Sequence, residues 1–304
     1  MDTFFKLMDR NKNNWILVVS LILILLFFIL GVFVYPFEEI ENNRASIDTN
    51  FFVYLILAVL VAPVLEEITF RGFFATNKKV KNFSKILLYL SLCLLLFNGF
   101  PYLFVAFFSL GITLLFSNKI NPKVAVPVYI VLSASIFSLV HQKYADVVVF
   151  KNSYFVLLHL AGGLMLAWIA LNFGIKKSIY THAVYNLILI LITFYGIQFN
   201  VAKSTSFETD SCKVVYYGNP YLESNKSIIS KDSNVIEFKN STLNNMVKYA
   251  VIYYPDIKTL NSKMPFSKYT LKIVKKDGSV LKEDEVKTAM LKTKLFFENK
   301  SNAK

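Results

Sequence analysis

The fold is decided by residues 61–74, which read VAPVLEEITFRGFF and close a longer apolar run, 51–74. This run is long enough to cross a bilayer, because about 20 helical residues at about 1.5 Å each span the hydrocarbon core. It nevertheless contains Glu66, Glu67 and Arg71. A charge near the bilayer centre costs about 2.5–3.5 kcal/mol on insertion scales, so such residues usually face the protein interior and indicate function.

The three charges are not equivalent on a helix. Adjacent residues point about 100° apart, so Glu66 and Glu67 face different directions. Glu67 precedes Arg71 by four residues, the spacing that favours an ion pair on one face, and this leaves Glu66 as the freer carboxylate. The alternative is a helix end at the membrane interface, where long charged side chains reach water. A pair of glutamates followed by an arginine makes that interpretation the weaker one.

The composition excludes an ordinary soluble domain. Of the 304 residues 55% are apolar and 17% charged, and the mean hydropathy is +0.48, whereas soluble domains average about 25% charged residues. The content of 29 Phe and 17 Tyr beside 10 Gly and 8 Pro excludes disorder and collagen. The cysteines, Cys93 and Cys212, are too few for a disulfide framework and lack CxxC spacing. The net charge of +13 fits membrane topology and lipid headgroups better than nucleic acid.

Seven apolar segments predict an all-α polytopic membrane domain at 15–199, after an N-terminal tail at 1–14. The first segment lacks the short core and small-residue cleavage site of a signal peptide, so we expect it to stay in the chain. The third and fourth are short and adjacent, so 86–116 is a tight hairpin, a re-entrant pair or one broken span. The segments are 15–37, 51–74, 86–97, 102–116, 124–140, 154–173 and 179–199.

The distribution of positive charge predicts the orientation. Lysine and arginine collect in the tail 1–14 and after the second, fourth and sixth segments, which is one side if all seven segments cross. The loop 38–48 on the other side is acidic. Cytoplasmic loops carry the positive excess, so we expect an integral membrane protein with a cytoplasmic N-terminus and an outside C-terminus. The lysine-, asparagine- and isoleucine-rich sequence suits a bacterial cell membrane.

After the last segment the composition changes to Lys, Asn, Ser, Asp and Tyr, which predicts a small soluble α+β accessory domain at 200–304. Short β-branched or aromatic runs closed by turn residues indicate strands, and acidic-first, lysine-last polarity indicates a final helix. No motif in this region indicates chemistry. The predicted strands are 213–217, 235–238, 250–254 and 269–274, and the predicted helices are 242–249 and 284–297.

All three histidines of the chain lie in or beside apolar segments. His182 precedes Asn186 by four residues, so both side chains share one helical face, where two donors can hold a ligand or an oxyanion. His141 ends the fifth segment, and we group it with Glu66 and this pair. His159 has no polar partner at helical spacing, and we expect it to form an interhelical hydrogen bond.

Three ordered motifs carry a family resemblance: Glu-Glu-x-x-x-Arg at 66–71 followed by Gly-Phe, Phe-x-x-x-His at 137–141, and His-x-x-x-Asn at 182–186. Together they resemble the motifs of the CPBP intramembrane protease family, also called Abi, which includes the CAAX prenyl endopeptidases and bacteriocin-processing or immunity proteins. The resemblance covers 51–186 and implies a helical membrane fold around a polar cavity. The hairpin 86–116 is an insertion relative to the family pattern.

The resemblance also implies a role for each motif residue. Glu66 would be the general base that activates a water, and His141 would help to hold that water. His182 and Asn186 would stabilise the oxyanion of the tetrahedral intermediate, and Glu67 with the arginine of its motif would support the site. The chemistry is sound, because a partly buried carboxylate is a better base near neutral pH and fixed donors gain strength at low dielectric.

The residue types leave the metal question open. Glu66, His141 and His182 could bind zinc with an open position for water. They equally fit a metal-free glutamate peptidase, which we favour slightly because Asn186 is a better oxyanion donor than zinc ligand. Measured from the cytoplasmic ends of straight, perpendicular helices, the three candidate ligands lie about 18, 21 and 8 Å deep, so tilted or broken helices are needed to join them.

We therefore expect an intramembrane endopeptidase that hydrolyses a peptide bond in a membrane-associated polypeptide, with that substrate and the lipid bilayer as partners and no nucleic acid. No residue of the chain implies a prenylated substrate. The main alternative is a non-catalytic membrane binding or bacteriocin-immunity protein on the same fold. A small-molecule transporter is the third, because intramembrane carboxylates and histidines also relay protons.

Overall fold

The computed structural model describes residues 14–33, 50–98, 101–116, 119, 121–141, 150–199, 204–222, 226–262, 264 and 266–298. The chain divides into two compact units. The first comprises 1–39 and 55–187, and the second comprises 40–54 and 188–304. The acidic loop 38–48 and all but the last residue of the predicted tail 1–14 lie outside the described residues.

Each of the seven apolar segments contains a helix. The second segment is one continuous run made of α2 (Phe51–Ile56), a π-helix (Leu57–Val61), α3 (Ala62–Arg71) and a 3-10 turn (Gly72–Phe74). The other helices are α1 (Asn14–Phe33), α4 (Lys78–Asn98), α5 (Pro101–Leu115), α6 (Pro122–Val140), α7 (Phe150–Phe173) and α8 (Ile175–Gln198).

The lengths of these helices support a membrane domain. Among the described residues, three helices are long and apolar enough to cross a bilayer: Phe51–Phe74, Val156–Phe173 and Ile175–Gln198. Three more apolar helices are shorter. The predicted number of seven spans is therefore not confirmed, and the stretch 86–116 forms parts of two separate helices, α4 and α5.

Buried hydroxyl groups join the helices of the first unit. Ser133 Oγ on α6 donates to the carbonyl oxygen of Phe70 on α3 at 2.6 Å, and Ser138 Oγ donates to that of Val156 on α7 at 2.8 Å. Such bonds hold helices together where the surrounding solvent is as apolar as the side chains. On the outside, large apolar side chains such as that of Leu60, which is 61% exposed, lie where the acyl chains of a bilayer would cover them.

The second unit contains a mixed α+β region. Its elements are β1 (Thr205–Glu208), β2 (Cys212–Asn219), β3 (Ile228–Lys231), β4 (Val235–Thr242), α9 (Leu243–Tyr253), β5 (Leu260–Ser262), β6 (Lys268–Lys275), α10 (Glu283–Lys292) and β7 (Phe296–Glu298). The five-stranded antiparallel sheet has the order β1-β2-β6-β4-β3, and β5 pairs with β7. The inward faces of the strands and the two helices share one core, with Phe238, Met246 and Ile273 fully buried.

In this region one predicted element is wrong and one is too long. The strand predicted at 250–254 is the end of α9, which buries Met246 and Ala250 at helical spacing and begins at an N-cap, Thr242, whose Oγ1 accepts from the backbone N–H of Asn245. Helical burial outweighs the β-branched and aromatic composition there. The predicted helix 284–297 ends at Lys292 and is followed by β7. The strands predicted at 213–217, 235–238 and 269–274 are confirmed.

Candidate active site

The two adjacent glutamates of α3 differ sharply in exposure. The side chain of Glu66 is 26% exposed, while that of Glu67 is fully buried. Pro63 stands in the first turn of α3, directly after the π-helix. The π-helix sets the rotation of α3 relative to α2, and short π segments are frequent at functional sites. Each carboxylate therefore meets different neighbours, as the predicted rotation of about 100° per residue requires.

Glu67 lies at the centre of a buried polar cluster. Its Oε1 accepts hydrogen bonds from Nη1 of Arg71 at 2.6 Å and from Nδ1 of His182 at 3.0 Å. Its Oε2 accepts a hydrogen bond from Oγ of Ser178 at 2.5 Å. The predicted ion pair with Arg71 is therefore present, and each buried charge compensates the other.

Arg71 connects three helices through its guanidinium group. Besides Glu67 on its own helix, it donates from Nη2 to the carbonyl oxygen of Gly163 on α7 at 3.1 Å. The guanidinium carbon also lies 4.5 Å from the ring centre of Phe137 on α6. A planar group with several donors can make all three contacts at once, which an ammonium group cannot. This arginine therefore fixes α3 relative to α7 and to α6, which carries the second motif.

Oε2 of Glu66 lies between two imidazole rings, 3.7 Å from Nε2 of His141 and 3.8 Å from Nε2 of His182. The Nδ1 atom of His182 faces the Glu67 carboxylate, and that of His141 lies 2.6 Å from the carbonyl oxygen of Phe137. These oxygens only accept, so we assign the hydrogen of each neutral ring to Nδ1. Each Nε2 then turns a lone pair toward Glu66. The Oε2–Nε2 distances are too long for direct hydrogen bonds, and a water that contacts both groups would lie beside the line that joins them.

The His141 ring is held from two sides. The residue lies in the turn after α6, where its backbone N–H donates to the carbonyl of Ser138 at 3.2 Å. Its ring contacts Phe137 at 4.6 Å between centroids and stacks on His159 of α7 at 5.0 Å with an interplanar angle of 17°. The sequence predicted an interhelical hydrogen bond for His159, and the contact described here is instead a ring stack on His141. The spacing of His159 does not indicate that its neighbour is a candidate catalytic residue.

Asn186 lies one helical turn beyond His182 on α8 and contacts the π-helix. Its Nδ2 donates to the carbonyl oxygen of Ala58 at 2.8 Å. In a π-helix the backbone bonds shift from i→i+4 to i→i+5, which disturbs the regular pairing of carbonyl groups. One amide hydrogen of Asn186 is thus engaged by the backbone. The same nitrogen carries a second hydrogen that could donate to an oxyanion.

The uneven depths calculated for straight, perpendicular helices do not keep the three residues apart, since Oε2 of Glu66 lies 3.7 Å from Nε2 of His141 and 3.8 Å from Nε2 of His182. The second segment is not one regular α-helix, because a π-helix and a 3-10 turn interrupt it. Near its end, Phe73 contacts Tyr129 of α6 at 5.9 Å between ring centroids.

The three candidate zinc ligands do not fit a zinc ion as they are placed. Two ligands that share a tetrahedral zinc at about 2.0–2.1 Å lie about 3.3 Å apart, and the observed Oε2–Nε2 distances from Glu66 to His141 and His182 are 3.7 and 3.8 Å. Within the described part of the chain, no group of three or more His, Cys, Asp or Glu side chains is arranged to hold a metal ion. No step proposed below uses a metal.

A family model described as type II CAAX prenyl endopeptidase Rce1-like matches residues 48–188. This range contains all three motifs and every residue of the site described above. Over residues 48–188 the chain is similar to the CAAX prenyl endopeptidase family. The resemblance drawn from the motifs is thereby confirmed over slightly less than half of the chain. This similarity and the apolar helices together support an integral membrane protein with a CAAX-type intramembrane protease domain.

No curated protein and no solved structure matches the chain significantly.

Proposed function

We propose that the chain is an intramembrane endopeptidase that hydrolyses peptide bonds of membrane-associated polypeptides with a water activated by Glu66. The observation that carries this proposal is the position of Glu66 Oε2, which lies 3.7 Å from Nε2 of His141 and 3.8 Å from Nε2 of His182. The side chain of Glu66 is 26% exposed and that of Glu67 is fully buried, while Oε2 of Glu66 is itself a buried atom that faces both imidazole rings. Similarity to a family of CAAX endopeptidases supports the reaction class.

In the proposed reaction Glu66 takes a proton from a water that also hydrogen-bonds to Nε2 of His141. The water oxygen forms a bond to the carbonyl carbon of the substrate, and the π electrons of that carbonyl move onto its oxygen. When the tetrahedral intermediate collapses, the C–N bond breaks and Glu66 gives its proton to the leaving nitrogen. One water is consumed, and the products are a new carboxyl terminus and a new amino terminus.

His182 is proposed to stabilise the oxyanion. When its Nε2 carries a proton, the Glu67 carboxylate at Nδ1 stabilises the imidazolium and holds the ring in place. The Nε2–H then points toward the Glu66 side of the site, where negative charge develops. Removing one such preorganised donor typically costs about 10²–10³ in rate. The second amide hydrogen of Asn186 is proposed as a further donor.

We also propose that the N-terminus is cytoplasmic and that the accessory domain 200–304 lies on the opposite side of the membrane. The 3-10 turn after α3 leads directly to the lysines at the start of α4, and α8 begins with Lys176 and Lys177. At the other end of α8, Gln198 Oε1 accepts a hydrogen bond from the backbone N–H of Leu222. The basic ends of these helices therefore favour the cytoplasm, and the hydrogen bond at Gln198 places Leu222 beside the last turn of α8.

The test compares newly formed peptide termini in membranes from cells that express the wild type, Glu66→Gln or His141→Ala at matched levels. We expect termini that appear with the wild type and whose abundance is lower by about 10²-fold or more in both variants, because a general base usually contributes a factor of that size. Glu208→Gln, which removes a carboxylate 63% exposed in β1, is the matched control and should keep them. If the Glu66→Gln variant still cleaved, Glu66 would not be the general base.

The same experiment addresses a non-catalytic member of the family. A membrane binding or immunity protein would give identical termini with all variants while still retaining its partner. That result, with the natural partners present, would overturn the peptidase proposal.

A further inference from the structure

An aromatic cluster in the second unit joins two membrane helices to two loops of the sheet region. The ring of Phe51, at the start of α2 and 2% exposed, lies 5.4 Å from those of Phe194 and Tyr221 and 5.5 Å from that of Phe266. Tyr221 follows β2, and Phe266 precedes β6. The ring of Tyr54 lies 5.6 Å from that of Phe266. The two loops are therefore anchored on the ends of α2 and α8.

The cluster marks the level at which the membrane helices end. Phe51 and Gln198 are the terminal residues of two of the described helices that are long and apolar enough to span a bilayer. Tyrosine and tryptophan are enriched at this level, where an amphipathic ring meets both the acyl chains and the headgroups. Burial raises the pKa of the Tyr221 hydroxyl group, and Lys268 Nζ lies 5.5 Å from the centre of the same ring. An aromatic ring beside a lysine is typical of such an interface.

Residues close in sequence to the members of this buried cluster expose apolar side chains. On the helices or directly after them, Phe52, Tyr195 and Phe199 are 47%, 67% and 62% exposed. On the two loops, Leu222 and Met264 are 57% and 53% exposed. Leu222 is fixed to the helix end by the hydrogen bond from its N–H to Gln198. Exposed apolar side chains that continue from one element to the next usually mark a binding surface.

We propose that these five residues, which we call the collar, lie in the headgroup region of the bilayer, so that the accessory domain binds the membrane surface through its loops. Leu222 and Met264 then extend the lipid-facing surface of α8 without a break. This proposal is independent of the peptidase activity, because it concerns where the second unit meets lipid and not the chemistry at Glu66.

Continuity favours lipid over a protein partner as the occupant. Exposed apolar side chains at the end of α8 include Tyr195 in its last turn and Phe199 directly after it, and a bilayer that covers them also covers neighbours at the same level. From this level β6 extends from Lys268 to Lys275, which is about 24 Å for eight residues. In this proposal Val280, which follows the far end of β6, lies outside the headgroup region.

Site-directed spin labelling of the full chain in phosphatidylethanolamine–phosphatidylglycerol vesicles tests the proposal. Cys93 is replaced by Ser, and Cys212 is fully buried, so an introduced cysteine is the reactive site. For each label we measure the ratio of its collision rate with oxygen to its collision rate with a water-soluble nickel chelate. This ratio should be several-fold higher for labels at Leu222→Cys and Met264→Cys than for a label at Val280→Cys. Val280 is 67% exposed and lies beyond the far end of β6, which makes it the matched control.

Every outcome decides the proposal. Lipid-type accessibility at both loop positions supports it, and the use of two loops guards against one variant that fails to fold. Accessibility like that of Val280→Cys would show loops in bulk water and would overturn it. Protection from both reagents would show a protein partner or a second copy on the collar and would overturn it as well. Because the readout is spectroscopic, an inactive peptidase would leave this test unchanged.

Discussion

Nδ1 of His182 and Oε1 of Glu67 are 3.0 Å apart, and the same oxygen accepts from Arg71 at 2.6 Å. One buried carboxylate therefore balances the charge of an arginine and orients a histidine whose other nitrogen faces Glu66. The two adjacent glutamates therefore have different environments, and the proposed reaction assigns them different roles. Glu67 holds the helices together, and Glu66, partly exposed, remains available for chemistry.

These different roles predict different effects for two similar substitutions. We expect Glu66→Gln to abolish cleavage while changing the thermal midpoint little, because its carboxylate is partly exposed. We expect Glu67→Gln to lower the stability by about 3–5 kcal/mol, because it leaves the guanidinium of Arg71 buried without a counter-charge. Thermal unfolding in detergent and the termini comparison measure the two effects on the same preparations. Equal midpoints for both variants would contradict the assigned roles.

The paired glycines of α7 offer a second contrast. A Cβ on Gly163 would lie 3.1 Å from Cα and from the carbonyl oxygen of Ala134 on α6, whereas a Cβ on Gly162 would meet nothing within 4 Å. We therefore expect Gly163→Ala to push α6 away and to cost about 1–3 kcal/mol. It should also lower activity, because the Gly163 carbonyl accepts from Arg71.

Gly162→Ala is the control for this contrast, since the substitution adds the same atom on the same helix. It should be neutral or should stabilise by about 0.5–1 kcal/mol, because alanine loses less entropy in a helix than glycine. Thermal midpoints and termini measured for both variants decide the matter. A Gly163→Ala protein as stable and active as Gly162→Ala would show that α6 and α7 can separate freely.

The part of the site that could be predicted from the sequence is local. The rotation between neighbouring helical residues separates Glu66 from Glu67, and the spacing of four pairs Glu67 with Arg71, so both follow from one helix. The order of the motifs identifies His141 and His182 as candidates because each stands in an apolar segment, where a polar side chain is costly.

The contacts that could not be predicted join residues far apart in the chain. Asn186 donates to Ala58 within a π-helix, and no sequence pattern indicates that the helix widens there. The stack of His159 on His141 depends on how α6 and α7 cross. The helical end of α9 was predicted as a strand because local composition says nothing about which face the sheet covers. Tertiary packing decides all three.

The stack on His141 predicts a role for His159 in positioning. Removal of the ring in His159→Ala should lower kcat about 10-fold with little change in KM, because a displaced base or water costs rate rather than binding. His159→Phe keeps a flat ring at the same place and should restore most of the rate. Steady-state cleavage of a substrate identified from the termini provides both constants.

Two results would contradict this role. If His159→Phe were as slow as His159→Ala, the nitrogen atoms of His159 would take part in the chemistry directly. If both variants matched the wild type, the stack would not matter. The chain has only three histidines, so the ring protons of His141 can be followed by NMR, and they should lose their ring-current shift in His159→Ala even if cleavage cannot be measured.

Chelation tests the spacing around Glu66. Because the Oε2–Nε2 distances of 3.7 and 3.8 Å exceed those of ligands sharing a zinc ion, we expect cleavage to survive prolonged dialysis against EDTA. Elemental analysis of the purified chain should show less than one zinc per molecule. Loss of cleavage with EDTA and its return with zinc would show that His141 and His182 move inward to bind a metal.

The accessory domain has its own pH dependence. Lys275 Nζ donates a hydrogen bond to Oε1 of Glu285, and both side chains are largely buried. This hydrogen bond lowers the pKa of Glu285 and raises that of Lys275. Glu285 contributes to the free energy of unfolding above the ordinary carboxyl pKa of about 4.3, and this contribution is lost as pH falls through its lowered pKa in the folded state. Lys275 contributes to the free energy of unfolding below the ordinary lysine pKa of about 10.4, and this contribution is lost as pH rises through its raised pKa in the folded state.

Glu285→Gln should therefore lower the thermal midpoint of this domain most between about pH 5 and 10, and should flatten its dependence on pH outside that window. Glutamine still accepts the backbone N–H of Lys282 that Glu285 Oε2 accepts at 3.0 Å, so the helix cap survives and the change reports the charge. Scanning calorimetry of the full chain in detergent, with exposed Asp210→Asn as control, measures the effect. A lost charge interaction must change the slope of the thermal midpoint against pH. If the two curves, for the wild type and for Glu285→Gln, were parallel at every pH, Lys275 and Glu285 would stabilise the domain by packing alone.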